Sequence, residues 1–184
     1  GKSKMRKFLK RSLDTYLTSR TFESKRENAL MYNDGQGYIR YQKGSLIFYA
    51  LSDYIGEKKL NKALSKYVQK VAFQEPPYTT SIDLVNHVKE VTPDSLNYLI
   101  KDMFETITLY QNRVIESTVS ELKNGKYKVD IEFEVSKYRN NEKGRMFYGN
   151  EERDSISYKT DKMKKPQYSV YLSDYIDIGI FGED

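Results

Sequence analysis

Downstream of Gly37 comes the densest apolar run of the chain, Tyr38-Ile39-Arg40-Tyr41-Gln42-Lys43-Gly44-Ser45-Leu46-Ile47-Phe48-Tyr49-Ala50-Leu51. Apolar side chains occur at almost every angle around a helical axis, the pattern of a helix enclosed by others rather than lying on a surface. Gly35 and Gly37 allow a chain reversal before it, and Tyr54-Ile55-Gly56 closes it, with Gly56 suited to the left-handed position past a helix end. Glu57 favours the start of a following helix through the macrodipole. Two helices meeting at a tight corner are therefore predicted.

The segment after Gly56 places Leu60, Ala63, Leu64, Tyr67, Val68 and Val71 on one stripe. Pro76-Pro77 ends any continuation. Thr80 with Asp83 resembles a capping box and opens a short helix bearing Leu84, Val85 and Val88. Thr92-Pro93 reads as a cap and first-turn proline, followed by Leu96, Leu99, Ile100, Met103 and Phe104 on one face. Upstream, Ser3 can cap a helix whose Met5, Phe8, Leu9, Leu13, Tyr16 and Leu17 recur at three- and four-residue steps, with Lys4, Lys7 and Arg11 on another face. Residues 18–37 lack sustained periodicity and read as a loop.

From about Thr106 the period changes to two. Val114 to Ser120 and Tyr127 to Val135 read as strands joined at Asn124-Gly125, a strong hairpin signal. In the second strand Tyr127, Val129, Ile131, Phe133 and Val135 alternate with Lys128, Asp130, Glu132 and Glu134. Residues 138–154 read as a long polar connection, further strands are expected near 155–160 and 167–172, and the stretch from Asp174 to Phe181 alternates again. The expectation is an α+β fold in two parts. Residues 1–106 form a helical array of about five helices, and residues 107–184 form a small antiparallel β domain of three or four strands.

Composition supports a folded chain. It has 184 residues, 38% of them hydrophobic and 14% aromatic, which argues against disorder despite 31% charged residues. There is no cysteine, which excludes disulfides and thiolate metal sites. No run approaches the roughly 18 apolar residues needed to span a bilayer. The net charge of +5 is uneven, because residues 1–26 carry nine Lys or Arg against Asp14 and Glu23. A basic helix face is usually simply solvated, so nucleic acid is not expected as a partner.

The chemistry-bearing residues are few. His87 is the single histidine, and with Asp83 four residues before it makes at most half a metal site. The carboxylates Asp53, Glu57, Glu75 and Glu90 have no spacing that singles out an acid-base pair. Gly35 and Gly37 lack the P-loop lysine pattern, and no G-x-S-x-G elbow occurs.

The order Tyr41-Gln42-Lys43-Gly44, a buried helix, Ile55-Gly56-Glu57 and an amphipathic helix resembles the zinc aminopeptidases of the membrane alanyl aminopeptidase family, just downstream of their metal site. The wording of Ala72-Phe73-Gln74-Glu75-Pro76-Pro77-Tyr78, Val91-Thr92-Pro93-Asp94-Ser95-Leu96 and Tyr175-Ile176-Asp177-Ile178-Gly179 is similar to a bacterial subgroup in which this region is fused to an ABC transporter permease. The resemblance covers nearly the whole chain. It implies that Tyr41 is the catalytic tyrosine, donating its phenolic proton to the oxyanion that forms at the scissile carbonyl. A phenol, protonated at neutral pH, suits that task. Tyr38, one helical turn earlier, would line the same cleft as a substrate-binding residue.

Gln42 departs from the glutamate usual in the family, and no H-E-x-x-H sequence is present. The resemblance therefore implies a chain with no metal site or cofactor of its own, inactive alone. Zinc, general base and membrane association would come from upstream catalytic and membrane regions of the same polypeptide, and the whole would act on peptide substrates. Two alternatives stand beside this. Tyr41 can be a core aromatic with a satisfied hydroxyl, and the chain can be a non-catalytic peptide-binding or assembly module of a membrane transporter protein. An edge strand left open in a shortened β domain would also favour a homodimer.

Overall fold

A computed structural model describes residues 2–143, 146–147, 172, 174–176 and 178–180, with the side chains of 2–4 and 146–147 outside the description. The fold is α+β, a helical array followed by a small antiparallel sheet. Two compact units are present, Gly1–Thr108 with Asn140–Arg145, and Leu109–Arg139 with Met146–Asp184.

In the helical unit, α1 spans Lys2–Thr21, α2 Gly44–Leu51, α3 Glu57–Val71, α4 Ser81–Val91 and α5 Asn97–Ile100. Wider π-helical turns precede α2 at Tyr38–Lys43, follow it at Ser52–Gly56 and extend α5 at Lys101–Glu105. The corner between α2 and α3 falls at Gly56, with φ +91°. Only glycine takes that backbone conformation without a Cβ penalty. The core joins Ile47, Leu51 and Ile55 to Leu60 of α3, Val85 and Val88 of α4, and Ile100 and Phe104 at the end of α5. Phe48 packs edge-to-face on Phe104, ring centroids 5.9 Å apart.

Asp83 closes the start of α4, accepting hydrogen bonds from the Thr80 backbone N–H at 2.8 Å and the Thr80 hydroxyl at 2.9 Å. Thr92 does not begin the next helix as its sequence setting suggests. Its hydroxyl donates back to the Val88 carbonyl at 2.8 Å and so ends α4, while a short 3₁₀ turn at Asp94–Leu96 leads into α5. The difference arises because a threonine hydroxyl satisfies a free carbonyl at a helix end as well as a free N–H at a helix start.

The first helix departs further from its pattern. It continues through Thr21, beyond the expected break, and Phe8, Leu13 and Leu17 on its apolar stripe remain exposed while Ser12 and Tyr16 are buried. A polar seam at Tyr16 and Arg20, described below, fixes this orientation. Leu30–Tyr32 adds a 3₁₀ turn within the stretch that lacks periodicity.

The second unit is built on a hairpin, β1 (Ile107–Glu121) and β2 (Tyr127–Asn140), with a short β3 (Met146–Phe147) beside β2. Both long strands exceed their sequence signals, and β2 runs into the stretch expected to be a polar connection. At the hairpin turn Gly125 has φ +72°, its N–H donates to the Leu122 carbonyl at 3.0 Å, and the Asn124 side chain accepts from the Lys126 N–H at 3.1 Å. Along β2, half-buried Val129, Ile131, Phe133 and Val135 alternate with exposed Lys128, Asp130, Glu132 and Glu134. Lys137 breaks the rule. It is buried, and its ammonium lies 2.9 Å from the buried Asp174 carboxylate, which also accepts from the Tyr110 hydroxyl at 3.2 Å. The strands expected near 155–160 and 167–172 lie outside the described residues, apart from Leu172, and the described residues from Asp174 to Ile180 form no strand.

Candidate functional site

The Tyr41-Gln42-Lys43-Gly44 motif lies where the π-helical turn Tyr38–Lys43 passes into α2. Such turns are rare and are found frequently at functional sites, because one extra residue per turn re-aims the side chains around it. Here Ile39, Lys43 and Gly44 are buried, while Arg40 and Tyr41 face outward. The Tyr41 phenol is 63% exposed, so it is not a core aromatic. The Arg40 guanidinium lies over the Tyr41 ring, 4.7 Å from its centroid, a cation–π contact that holds both side chains at the head of the helix. Among the described residues no carboxylate pairs with Arg40.

Tyr38 stands differently. It is half-buried and stacked on Tyr16 with ring centroids 6.2 Å apart, and its hydroxyl donates to Glu23 at 3.1 Å. Burial first, then the bond to Glu23, pushes its phenol well above the ordinary range. Gln36 completes the arrangement, donating to Glu23 at 2.5 Å and to the Arg26 carbonyl at 2.8 Å while accepting from the Asn28 N–H at 3.2 Å. Through these bonds one glutamine side chain shapes the turn that delivers the chain to Tyr38. Glu23 is held below the usual carboxylate range, chiefly by the Lys25 N–H and then by Gln36.

Behind this turn is a buried ionic cluster. Tyr16 donates to Glu27 at 2.6 Å, Arg20 bonds the other oxygen of Glu27 at 2.7 Å, and the Lys43 ammonium stands 5.5 Å from the centroid of the Tyr16 ring. Lys43 is only 5% exposed, and its Nζ has no hydrogen-bond partner among the described residues. Burial pushes its pKa down to about 8 against the opposing pull of Glu27. Burial, with Glu27 adding to it, raises the Tyr16 phenol far above its ordinary value. Sequence reasoning passed over this cluster. The available signal was the register Ile39, Lys43, Ile47, which sets a lysine on the inward stripe of an apolar helix.

Beside the motif is an apolar cavity of about 320 Å³, walled by Leu30, Met31, Phe48, Leu84, Val85 and Phe104, with Arg40, Ser45 and Ser81 as its polar side chains. The Ser81 hydroxyl donates to the Met31 carbonyl at 2.6 Å, tying the start of α4 to the 3₁₀ turn, and the Ser45 hydroxyl donates to the Gln42 carbonyl at 2.9 Å.

His87 lies on α4, its Nδ1 2.7 Å from the Asp83 carbonyl oxygen and its ring edge-to-face with Tyr67. The Asp83 carboxylate is turned to Thr79 and Thr80. Among the described residues no three His, Cys, Asp or Glu side chains are grouped to hold a metal ion, so those residues do not fit a zinc site. No helix among them is long and apolar enough to cross a membrane. Compared with protein-family models, curated proteins and solved structures, the chain matches none.

Proposed function

We propose that this chain is the part of a zinc aminopeptidase-like polypeptide that follows its metal-binding motif, and that Tyr41 is the oxyanion donor of that enzyme. The observation that carries the reading is the split setting of the motif: Lys43 and Gly44 point into the core, and the Tyr41 phenol points out. A phenolic O–H on a fixed helical turn can donate to negative charge as it develops, without reorganising when the reaction occurs. Arg40 supports this role by restricting the Tyr41 ring from one face.

The remaining parts follow from the same reading. Tyr38 acts on substrate by setting the entry to the turn, since its hydroxyl is committed to Glu23. On this reading zinc and general base belong to upstream regions, and the isolated chain is inactive. The parent polypeptide is membrane-associated through its permease region and hydrolyses amino-terminal peptide bonds.

A second reading is a non-catalytic peptide-binding module of a membrane transporter, favoured by the apolar cavity lined by an arginine that has no acid partner among the described residues. The two separate on one measurement. A phosphinic peptide mimics the tetrahedral intermediate, so its affinity for the longer, metal-loaded polypeptide should fall at least about 100-fold in Tyr41→Phe while substrate affinity holds. Equal affinity in both proteins would remove the catalytic role of Tyr41.

A further inference from the structure

The cavity beside α2 has three kinds of wall, and each asks for a different part of one ligand. Its body is apolar, closed by Leu30, Phe48, Leu84, Val85 and Phe104. At about 320 Å³ it is at the small end of the range for ligand sites. Arg40 is its one charged lining residue, and that guanidinium has no acid partner among the described residues. Ser45 and Ser81 have both spent their hydroxyl protons on backbone carbonyls, at 2.9 Å and 2.6 Å. A hydroxyl whose proton is committed can still accept, so these oxygens offer acceptors to an N–H.

From this combination we propose that the cavity binds the carboxy-terminal residue of a short peptide carrying a bulky apolar side chain. The side chain fills the cavity, the carboxylate pairs with Arg40, and the last amide N–H donates to a serine oxygen. An arginine fork suits a carboxylate because two parallel N–H donors meet two oxygens. The acceptors distinguish a peptide from a fatty acid, which has the carboxylate and apolar body but no amide N–H. The assignment uses Arg40, the serine oxygens and the cavity and makes no use of the Tyr41 hydroxyl, so loss of ligand binding and loss of the Tyr41 role are separate outcomes.

The test is calorimetric titration of the 184-residue chain with N-acetylphenylalanine, N-acetylphenylalaninamide and octanoate, with ¹H–¹⁵N spectra locating each ligand. The acid should bind and shift the Gly44 and Ser45 amides. Its amide should bind at least about 10-fold more weakly, as loss of a charge-assisted hydrogen bond implies. Octanoate should also bind more weakly than N-acetylphenylalanine. In Arg40→Met the preference for acid over amide should vanish, and because Arg40 is exposed the variant should keep the wild-type circular dichroism. Leu84→Trp, which fills the cavity from its wall, should abolish binding of the acid. Equal binding of acid and amide, an octanoate affinity matching the peptide analogue, shifts confined to other residues, or no binding at millimolar concentration would each overturn the proposal.

Discussion

The Lys43 ammonium is buried 5.5 Å from the centroid of the Tyr16 ring, on the inward stripe that runs from Ile39 in the π-helical turn to Ile47 in α2. A cation so placed gains from the ring face and from Glu27 but loses its hydration, and burial dominates because its pKa falls to about 8. The helical unit therefore carries a charged residue inside it that favours the folded state more when neutral.

Stability should consequently rise with pH through the alkaline range. Between about 8 and the ordinary lysine value of 10.5 the unfolded chain binds a proton that the folded chain does not, a gain of about 3 kcal/mol for the shift alone. Above pH 10 the raised phenols of Tyr16 and Tyr38 act in the opposite sense, because the unfolded chain releases protons that the folded chain retains. Urea midpoints should therefore climb from pH 7 to a maximum between 9 and 10 and then fall. Lys43→Met should stabilise the protein at pH 7 by roughly 1–3 kcal/mol and flatten the climb while leaving the decline above pH 10. A profile unchanged in that variant would show that Lys43 is not the group responsible.

A second buried charge behaves differently, because it is paired. In the β unit Lys137 and Asp174 are 1% and 3% exposed at 2.9 Å. Asp174→Ala removes a carboxylate from beside a buried ammonium and should cost several times more than breaking an exposed pair such as Lys10 with Asp14, which should cost less than about 1 kcal/mol. Denaturant titrations of the two variants should differ accordingly, and equal losses would contradict the burial of the pair.

Gly56 carries the corner between α2 and α3 at φ +91°, and a Cβ added there meets nothing within 4 Å. The cost of Gly56→Ala is thus purely conformational, about 1–2 kcal/mol. Gly44 is the reverse case, an ordinary helical residue whose added Cβ would touch the Ile39 carbonyl oxygen at 3.7 Å and Leu30 at 3.8 Å. Gly44→Ala should be neutral or stabilising by up to about 1 kcal/mol. Thermal melts of the two variants should therefore move in opposite directions or leave Gly44→Ala in place.

The parts legible from sequence were those decided by local periodicity and turn chemistry. The helix from Glu57 to Val71, the Thr80–Asp83 cap, the Gly56 corner and the Asn124-Gly125 hairpin all appear in the structure, although of the stripe on that helix only Leu60 and Ala63 are buried and Val68 is exposed. What escaped depends on contacts between distant segments. The orientation of α1 is set by Tyr16 and Arg20 meeting Glu27, with Lys43 close by, so Phe8, Leu13 and Leu17 face outward against their hydrophobicity. Thr92 was ambiguous because one hydroxyl can serve either end of a helix, and Lys137 because its partner lies far along the chain. At the candidate site Tyr41 faces outward, and the stacking of Arg40 upon it has no signal in the sequence because neighbouring side chains on a helix do not ordinarily face each other.

That contact makes its own prediction. An exposed cation–π pair is worth about 0.5–1 kcal/mol, so Arg40→Ala and Tyr41→Leu should couple by that amount in a double-mutant cycle of unfolding free energies. Strict additivity would mean that the ring is not held by Arg40.

The most direct measurement is the turnover of an amino-terminal peptide bond by the proposed longer, zinc-loaded polypeptide and by its Tyr41→Phe variant, which removes one oxygen and leaves the exposed ring in place. The account predicts a fall in kcat of about 100- to 1,000-fold with KM little changed, the signature of a donor used in the transition state. A kcat equal to that of the parent would contradict it.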